Sequence, residues 1–290
     1  MTRIRVVTDS AADIPEGLQR QHDITVVPMR LRWGTESYLD RVTISTDTLI
    51  ARQRGHWDPT AVPEVESPSV EDFSRAYRLL RDACDGVISI HISSRLSDTM
   101  SNAQIARESF GPIGQGGPFP VAVVDSMSIS MGMGWIVLEV AKAAERGMDL
   151  PKLVALTNRL TGLSHVAFFT EQTEILLSSG RASRLNHQAD TLASMRPLLH
   201  MDEGHISVYE KTRTRAKARD SVYNFVEDFP SIGELAVLHT NVTQNDVEHL
   251  LTRIGAIYPR ERVPVIQIGP ALASWLGPDV LGVAALEGEE

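Results

Sequence analysis

Val87-Ile-Ser-Ile-His-Ile-Ser-Ser-Arg-Leu-Ser-Asp-Thr-Met-Ser-Asn102 is the stretch whose reading decides the fold. Val87 to Ile92 is a short, largely β-branched run of the kind that forms a buried strand, and Ser93-Ser94 breaks it before helix-like sequence begins. Two other segments follow the same pattern: Ile4 to Thr8 ends in Asp9-Ser10, and Val121 to Val124 ends in Asp125-Ser126. Between them, Val70 to Arg81 and Asn102 to Phe110 have helical spacing, and Ile129 to Arg146 carries a long apolar stripe closed by Gly147. Strands alternating with helices imply an α/β fold with a parallel sheet and covering helices, whose ligands gather beyond the carboxyl ends of the strands.

Further along, Lys152 to Leu160 reads as a helix, His165 to Phe169 as a strand, and the next helical region ends near Gly180. Strands over His205 to Lys211, Glu234 to Thr240 and Val263 to Ile268, with a helix over Val247 to Tyr258, make the second half α+β or α/β. The 290 residues suffice for two cores of about 150 residues each. The expected domains are therefore 1–160 and 161–290. Gly111 to Pro118, with four glycines and two prolines, reads as a surface connector.

Composition removes several function classes. A net charge of -9, from 28 basic and 37 acidic residues, repels phosphate backbones and argues against nucleic acid. Cys84 is the single cysteine, so no internal disulfide or multi-thiolate site can form, and its apolar context predicts a small buried residue. Nine scattered histidines form no ligand pair, so no metal and no cofactor is expected. The first residues contain no apolar signal-peptide core and the longest apolar stretch is too short to span a bilayer, which predicts a cytoplasmic protein without stable membrane insertion. Gly132-Met-Gly134 lacks the third glycine of a dinucleotide fingerprint, and G-x-x-x-x-G-K is absent.

The turn from Ser93 to Thr99 is the candidate polar site. A serine capping a helix, with free N–H groups behind it, accepts an anion, and Ser97 is the expected N-cap. The same hydroxyls would also serve simply to cap and turn the chain. Asp9, Asp125, Ser126 and His91 invite a hydrolase reading in which Ser97 or Ser126 is the nucleophile. No G-x-S-x-G elbow supports it, and capping or an internally satisfied histidine explains these residues as well. Lys211 to Arg219 is either a solvated helix face or a surface for phosphate or an acidic partner.

Six blocks in order, Val6-Val-Thr-Asp-Ser10, Ile90-His-Ile-Ser-Ser-Arg-Leu-Ser97, Val124-Asp-Ser126, Ser179-Gly-Arg181, Glu210 to Ala218, and Leu276-Gly-Pro278 with Leu281-Gly-Val283, resemble the DegV family. The resemblance implies a two-domain α/β fold that buries a long-chain fatty acid between its domains. It also implies a non-catalytic role: presenting the acyl carboxylate to a separate fatty acid kinase subunit. Carried over by position, Ser97 contacts the carboxylate, with Ser93, Ser94 and Thr99 around it, and Arg181 lies near the ligand's exit as a partner or phosphate contact. Val65 stands where the family has a head-group threonine, Asp98 where it has glycine, and Trp275 where it has histidine. These departures leave a second reading open, a binding module for a different small apolar ligand. Burying about 14 methylenes at roughly 0.8 kcal/mol each bounds the tail's contribution near 11 kcal/mol, leaving orientation to the polar turn.

Overall fold

The computed structural model describes residues 3–55, 62–110, 119–192 and 194–288. The expected connector Gly111 to Pro118 lies outside the described residues. Among them the chain forms β1 (Ile4–Asp9), β2 (Thr25–Val27), β3 (Arg30–Trp33), β4 (Glu36–Leu39), β5 (Glu64–Glu66), β6 (Gly86–His91) and β7 (Val121–Asp125) in its first part. The second part adds β8 (Ser164–Phe169), β9 (Leu198–Asp202), β10 (His205–Glu210), β11 (Ile232–His239), β12 (Val265–Gln267) and β13 (Leu281–Glu287).

β2, β1, β6 and β7 form one sheet in that order, and all its pairings are parallel. Every residue of β6 is buried, as a central parallel strand covered on both faces requires. The helix Val70–Arg81 covers one face and opens with a capping box: Ser69 takes the Asp72 N–H and Asp72 takes the Ser69 N–H. Its apolar face sets Phe73 and Tyr77 against Val7, Val87 and Val121 of the sheet.

The opposite face is covered by the helix Ser130–Glu145, buried from Ser130 to Ala144 except at Glu139 and Lys142. A helix apolar on all sides must be enclosed, and this one lies between β1 and the second sheet, its Trp135 Nε1 donating to the Ala284 carbonyl at 3.3 Å. Here Gly132 and Gly134 find their role. A Cβ at Gly132 would run into Val166, and one at Gly134 would stand 2.7 Å from the Ala12 carbonyl. The glycine pair permits close packing rather than phosphate binding. Because both sheets pack on this helix, one apolar core runs from Val6 and Ile90 to Phe168 and Ala284.

The second sheet has the order β10-β9-β8-β13-β11-β12, antiparallel except between β11 and β12. Helices Arg215–Glu227 and Gln244–Ile254 cover its far face over a separate core. The antiparallel trio β4-β3-β5 forms a third, small sheet that the sequence reading did not anticipate. Among the described residues no helix is long and apolar enough to cross a membrane, and no group of three or more His, Cys, Asp or Glu could hold a metal ion.

Candidate functional site

The turn after β6 is tied down before it offers anything to a ligand. Ser93 is fully buried; its N–H donates to the Ser128 carbonyl and its hydroxyl to the Gly204 carbonyl, at 3.0 and 2.7 Å. The tip of the β9-β10 hairpin therefore clasps the turn, and Ser93 is a structural fixture. Ser94 is exposed, with its N–H on Asp125 Oδ2. The helix begins at Thr99, three residues earlier than expected, and its N-cap is Asp98, whose side chain makes no capping bond. Ser97 is thus not the N-cap. Its hydroxyl instead takes the Thr99 N–H at 3.4 Å from one position further out, a local serine turn.

Ser97 Oγ lies 2.8 Å from Thr99 Oγ1 and 2.8 Å from Ser67 Oγ. Ser67, which follows β5, is the partner missed by sequence reasoning; no local signal marks it. Three hydroxyls carry three hydrogens, and the two contacts between them use two. Ser97 already accepts the Thr99 N–H, so when Thr99 also donates its hydroxyl to Ser97, Ser97 donates to Ser67 and the Ser67 proton is left for a ligand acceptor. Thr99 is buried behind the pair, whereas Ser67 and Ser97 line an open cleft of about 670 Å³ with Ser94, Asp98, Asn102 and Arg181.

Arg181 organises this cleft. Its guanidinium donates to the Leu96 carbonyl in the turn and, at 2.9 Å, to the Val65 carbonyl in β5. It lies over the Trp275 ring, 5.8 Å from the centroid. Burial draws the guanidinium below its usual range, and the neighbouring Asp98 charge opposes this. On its other side Arg181 joins Val65, Ser178, Ser179 and Trp275 around a second cleft of about 520 Å³. Val65 and Arg181 therefore line both clefts, the first with Ser97 and the second with Trp275. Asp98 is exposed at the rim, facing water.

The remaining candidates go elsewhere. His91 is fully buried within a relay: Tyr77 donates to Ser89, Ser89 Oγ meets His91 Nε2 at 2.7 Å, and His91 Nδ1 meets Asp9 Oδ2 at 3.0 Å. The relay ties the helix Val70–Arg81 to the sheet interior. Ser126 is buried; its hydroxyl donates to the Ser128 carbonyl at 3.3 Å and its N–H to the His91 carbonyl at 3.0 Å, and among the described residues no histidine ring hydrogen-bonds to the hydroxyl of Ser97 or Ser126. The basic run is not simply a surface. Arg215 binds Glu171 and Asp246, both at 2.8 Å, and Arg219 meets Asp246, so these two cations join the helices internally while Lys211, Arg213 and Lys217 stay exposed. Cys84 is half-buried rather than buried; its thiol donates to the Leu80 carbonyl, and burial pushes it up.

Over residues 3–288 the chain matches the family model described as "Uncharacterised protein, DegV family". Protein DegV of Bacillus subtilis is 26% identical over 284 residues, 97% of this chain and 98% of that protein. A solved DegV family protein from Thermus thermophilus, described as fatty acid binding, is 29% identical with a TM-score of 0.88, covering 99% of this chain and 100% of that one. Solved DegV from Bacillus subtilis, described as a fatty acid binding protein, gives a TM-score of 0.87 at 25% identity, again over 99% and 100%.

Proposed function

The chain belongs to the DegV family, and on that premise we propose that it binds one long-chain fatty acid, with the carboxylate at Ser97 and the tail leading past Val65, Leu96 and Trp275. The observation that carries this reading is the uncommitted hydroxyl proton of the Ser67–Ser97–Thr99 trio, in a cleft whose wall Arg181 shares with the neighbouring cleft that Trp275 lines. Ser67 supplies the polar partner that Val65 does not. Arg181 adds positive charge near the head group while its donors hold the walls together. In this reading the chain divides into two domains near residue 160 and the ligand lies between them, with Arg181 and Trp275 contributed by the second and Val65 and Ser97 by the first.

In this role the protein presents the acyl carboxylate to a separate fatty acid kinase subunit and does not itself transfer phosphate. Its sequence has no phosphate-binding loop to hold ATP. The exposed rim around Ser94 and Asp98 is where such a subunit would reach the carboxylate.

A second reading is favoured by one observation: Glu64, Glu66 and Asp98 also line the cleft, so carboxylates crowd the place where an anion would sit. Glu64 and Glu66 are both paired to Arg32, which blunts that repulsion. Native mass spectrometry of protein expressed in a bacterial host, then stripped of lipid and offered oleic acid, methyl oleate or oleyl alcohol, separates the two. One bound oleic acid, held more tightly than the ester or alcohol, is expected. An apo mass with no uptake of any of them would overturn lipid binding, and preference for the ester or alcohol would establish the uncharged-ligand reading instead.

A further inference from the structure

The helix Pro270–Leu276, which carries Trp275, has no capping side chain of its own. Residues far away in sequence hold its start. Asp13 Oδ1 accepts the Gly269 N–H at 2.8 Å, and Asp40 Oδ1 accepts the Ala271 N–H at 2.9 Å. Thr46 donates to the Ile268 carbonyl at 2.7 Å, and Arg41 bridges Asp13 and the Gln267 carbonyl. The approach is close enough that a Cβ on Gly269 would stand 2.7 Å from Arg41 Nε and 2.8 Å from Asp13 Oδ1. Asp13, Arg41 and Ser130, whose hydroxyl donates to Asp13 at 2.6 Å, all have positive φ, of 53°, 60° and 48°. Three strained non-glycine residues in one hydrogen-bonded cluster mark a place where the surrounding structure holds the backbone against its preference.

Within this cluster Asp40 stands apart. Its side chain is buried, and Oδ2 has no hydrogen-bond partner among the described residues. Resting on the acyl-binding reading of the Arg181 cleft, we infer that Asp40 is a positioning residue for Trp275. Its carboxylate grips the start of the helix Pro270–Leu276, and that grip sets how Trp275 seats on Arg181.

The physical path is short and continuous. Asp40 holds Ala271, Trp275 lies four residues on along the same helix, and Arg181 passes the seat of the ring to the carbonyls of Leu96 and Val65. An ionised Asp40 accepts the Ala271 N–H with charge assistance, and protonation weakens that bond. Burial pushes Asp40 up to about 6, the Asp13 charge adds to this, and Ser10, the Ala271 N–H and Arg41 oppose it. The charged groups facing it are Asp13, in the loop after β1, and Arg41 beside it; the helix Thr46–Gly55 presents Thr46 and Asp47, the latter bound to Gln267. The helix Pro270–Leu276 brings no titratable side chain. Mild acid therefore loosens Trp275 and speeds ligand release. By reciprocity, a ligand that favours the seated ring lowers the pH of the transition.

The test uses the full-length chain without ligand. Tryptophan emission and acrylamide quenching are followed from pH 4.5 to 8, with Trp275→Phe as the subtraction that isolates Trp275. The expected result is a transition near pH 6 that is absent in Asp40→Asn, which resembles the acid form throughout. Ser10→Ala keeps the carboxylate but removes the neighbouring hydroxyl that favours its charged form, so its transition moves upward, and this second variant serves even where Asp40→Asn does not fold. Oleate dissociation in the parent chain should be several-fold faster at pH 5 than at pH 7.5. A flat Trp275 signal in the parent, an unchanged midpoint in Asp40→Asn, or an unmoved one in Ser10→Ala would overturn the inference. A normal transition in a chain that takes up no oleate at any pH would instead refute acyl binding alone.

Discussion

The hydroxyl turn around Ser97 and the carboxylate cluster around Asp13 and Asp40 both lie beyond the carboxyl ends of the parallel sheet, yet they handle polarity in opposite ways. The turn is neutral and half-open, and its groups satisfy one another except for one proton. The cluster is ionic, with its carboxylates buried at the wall of a cavity of about 500 Å³, and its groups satisfy backbone from the far end of the chain. A neutral hydroxyl loses little when a partner leaves, because water or a ligand replaces it. A buried carboxylate has no such substitute. The turn is accordingly suited to exchange a ligand and the cluster to hold a helix, and the two meet through Trp275 and Arg181.

The hardest test of that contrast is Asp13→Ala. It removes the acceptor shared by Arg41, the Gly269 N–H and Ser130. Breaking a buried, hydrogen-bonded ion pair costs about 3–5 kcal/mol. Urea denaturation at pH 7 should show a loss of that order. A loss below roughly 1 kcal/mol, the range of an ordinary hydrogen bond, would mean that the cluster is no more consequential than the turn.

Asp40→Asn sharpens the contrast through its sign. The folded chain raises Asp40 from 3.8 to about 6, so it binds this proton more tightly than the unfolded chain does. The stability this confers is fully present below the unfolded value and is lost as pH rises through about 6. At about 1.4 kcal/mol per pH unit, the ionised side chain costs roughly 3 kcal/mol at pH 7.5. Asparagine keeps an acceptor for Ala271 without the charge. The variant should be about 1–3 kcal/mol more stable than the parent at pH 7.5, with the difference vanishing near pH 4. A difference that ignores pH would show that Asp40 is not the group under strain. A gain in stability accompanied by the loss of the Trp275 transition would show stability given up for a movable gate.

The contrast also explains what the sequence revealed. The parallel sheet was legible because β1, β6 and β7 are short, largely β-branched runs ended or followed by Asp or Ser, and the central helix because it carries a long apolar stripe. Ser97, Arg181 and Trp275 came from matching blocks. The carboxylate cluster was invisible: residues 13, 40, 41, 130 and 269 share no local period, and only the tertiary fold brings them together. Strands β3 to β5 were missed for a related reason. Each has three or four residues, and Arg30-Leu-Arg-Trp33 offers a single fully buried side chain, Leu31, too little for an alternating pattern. Ser67 gives no local signal because its place in the site comes from a tertiary contact with Ser97, thirty residues on. The charge run from Lys211 looked like a surface because Glu171 and Asp246, which take up Arg215 and Arg219, lie 27 to 44 residues away.

The smallest effect belongs to the turn's own charge. Asp98 aligned with a family glycine, and a carboxylate about 5 Å from an anionic head group at an effective dielectric of 20 would oppose binding by roughly 3 kcal/mol. The structure puts Asp98 at the exposed rim, where water and salt screen it, and the exposed-pair range of under about 1 kcal/mol is the appropriate scale. Asp98→Asn should therefore tighten oleate binding by no more than about fivefold at low salt, with the gain fading at about 0.5 M salt as screening shortens. Titration of the delipidated protein at two ionic strengths reads this directly. A salt-insensitive gain of a hundredfold would place Asp98 against the head group and make the turn a charged site like the cluster. A null effect at both salts would leave the neutral hydroxyl trio as the feature by which this turn holds its ligand.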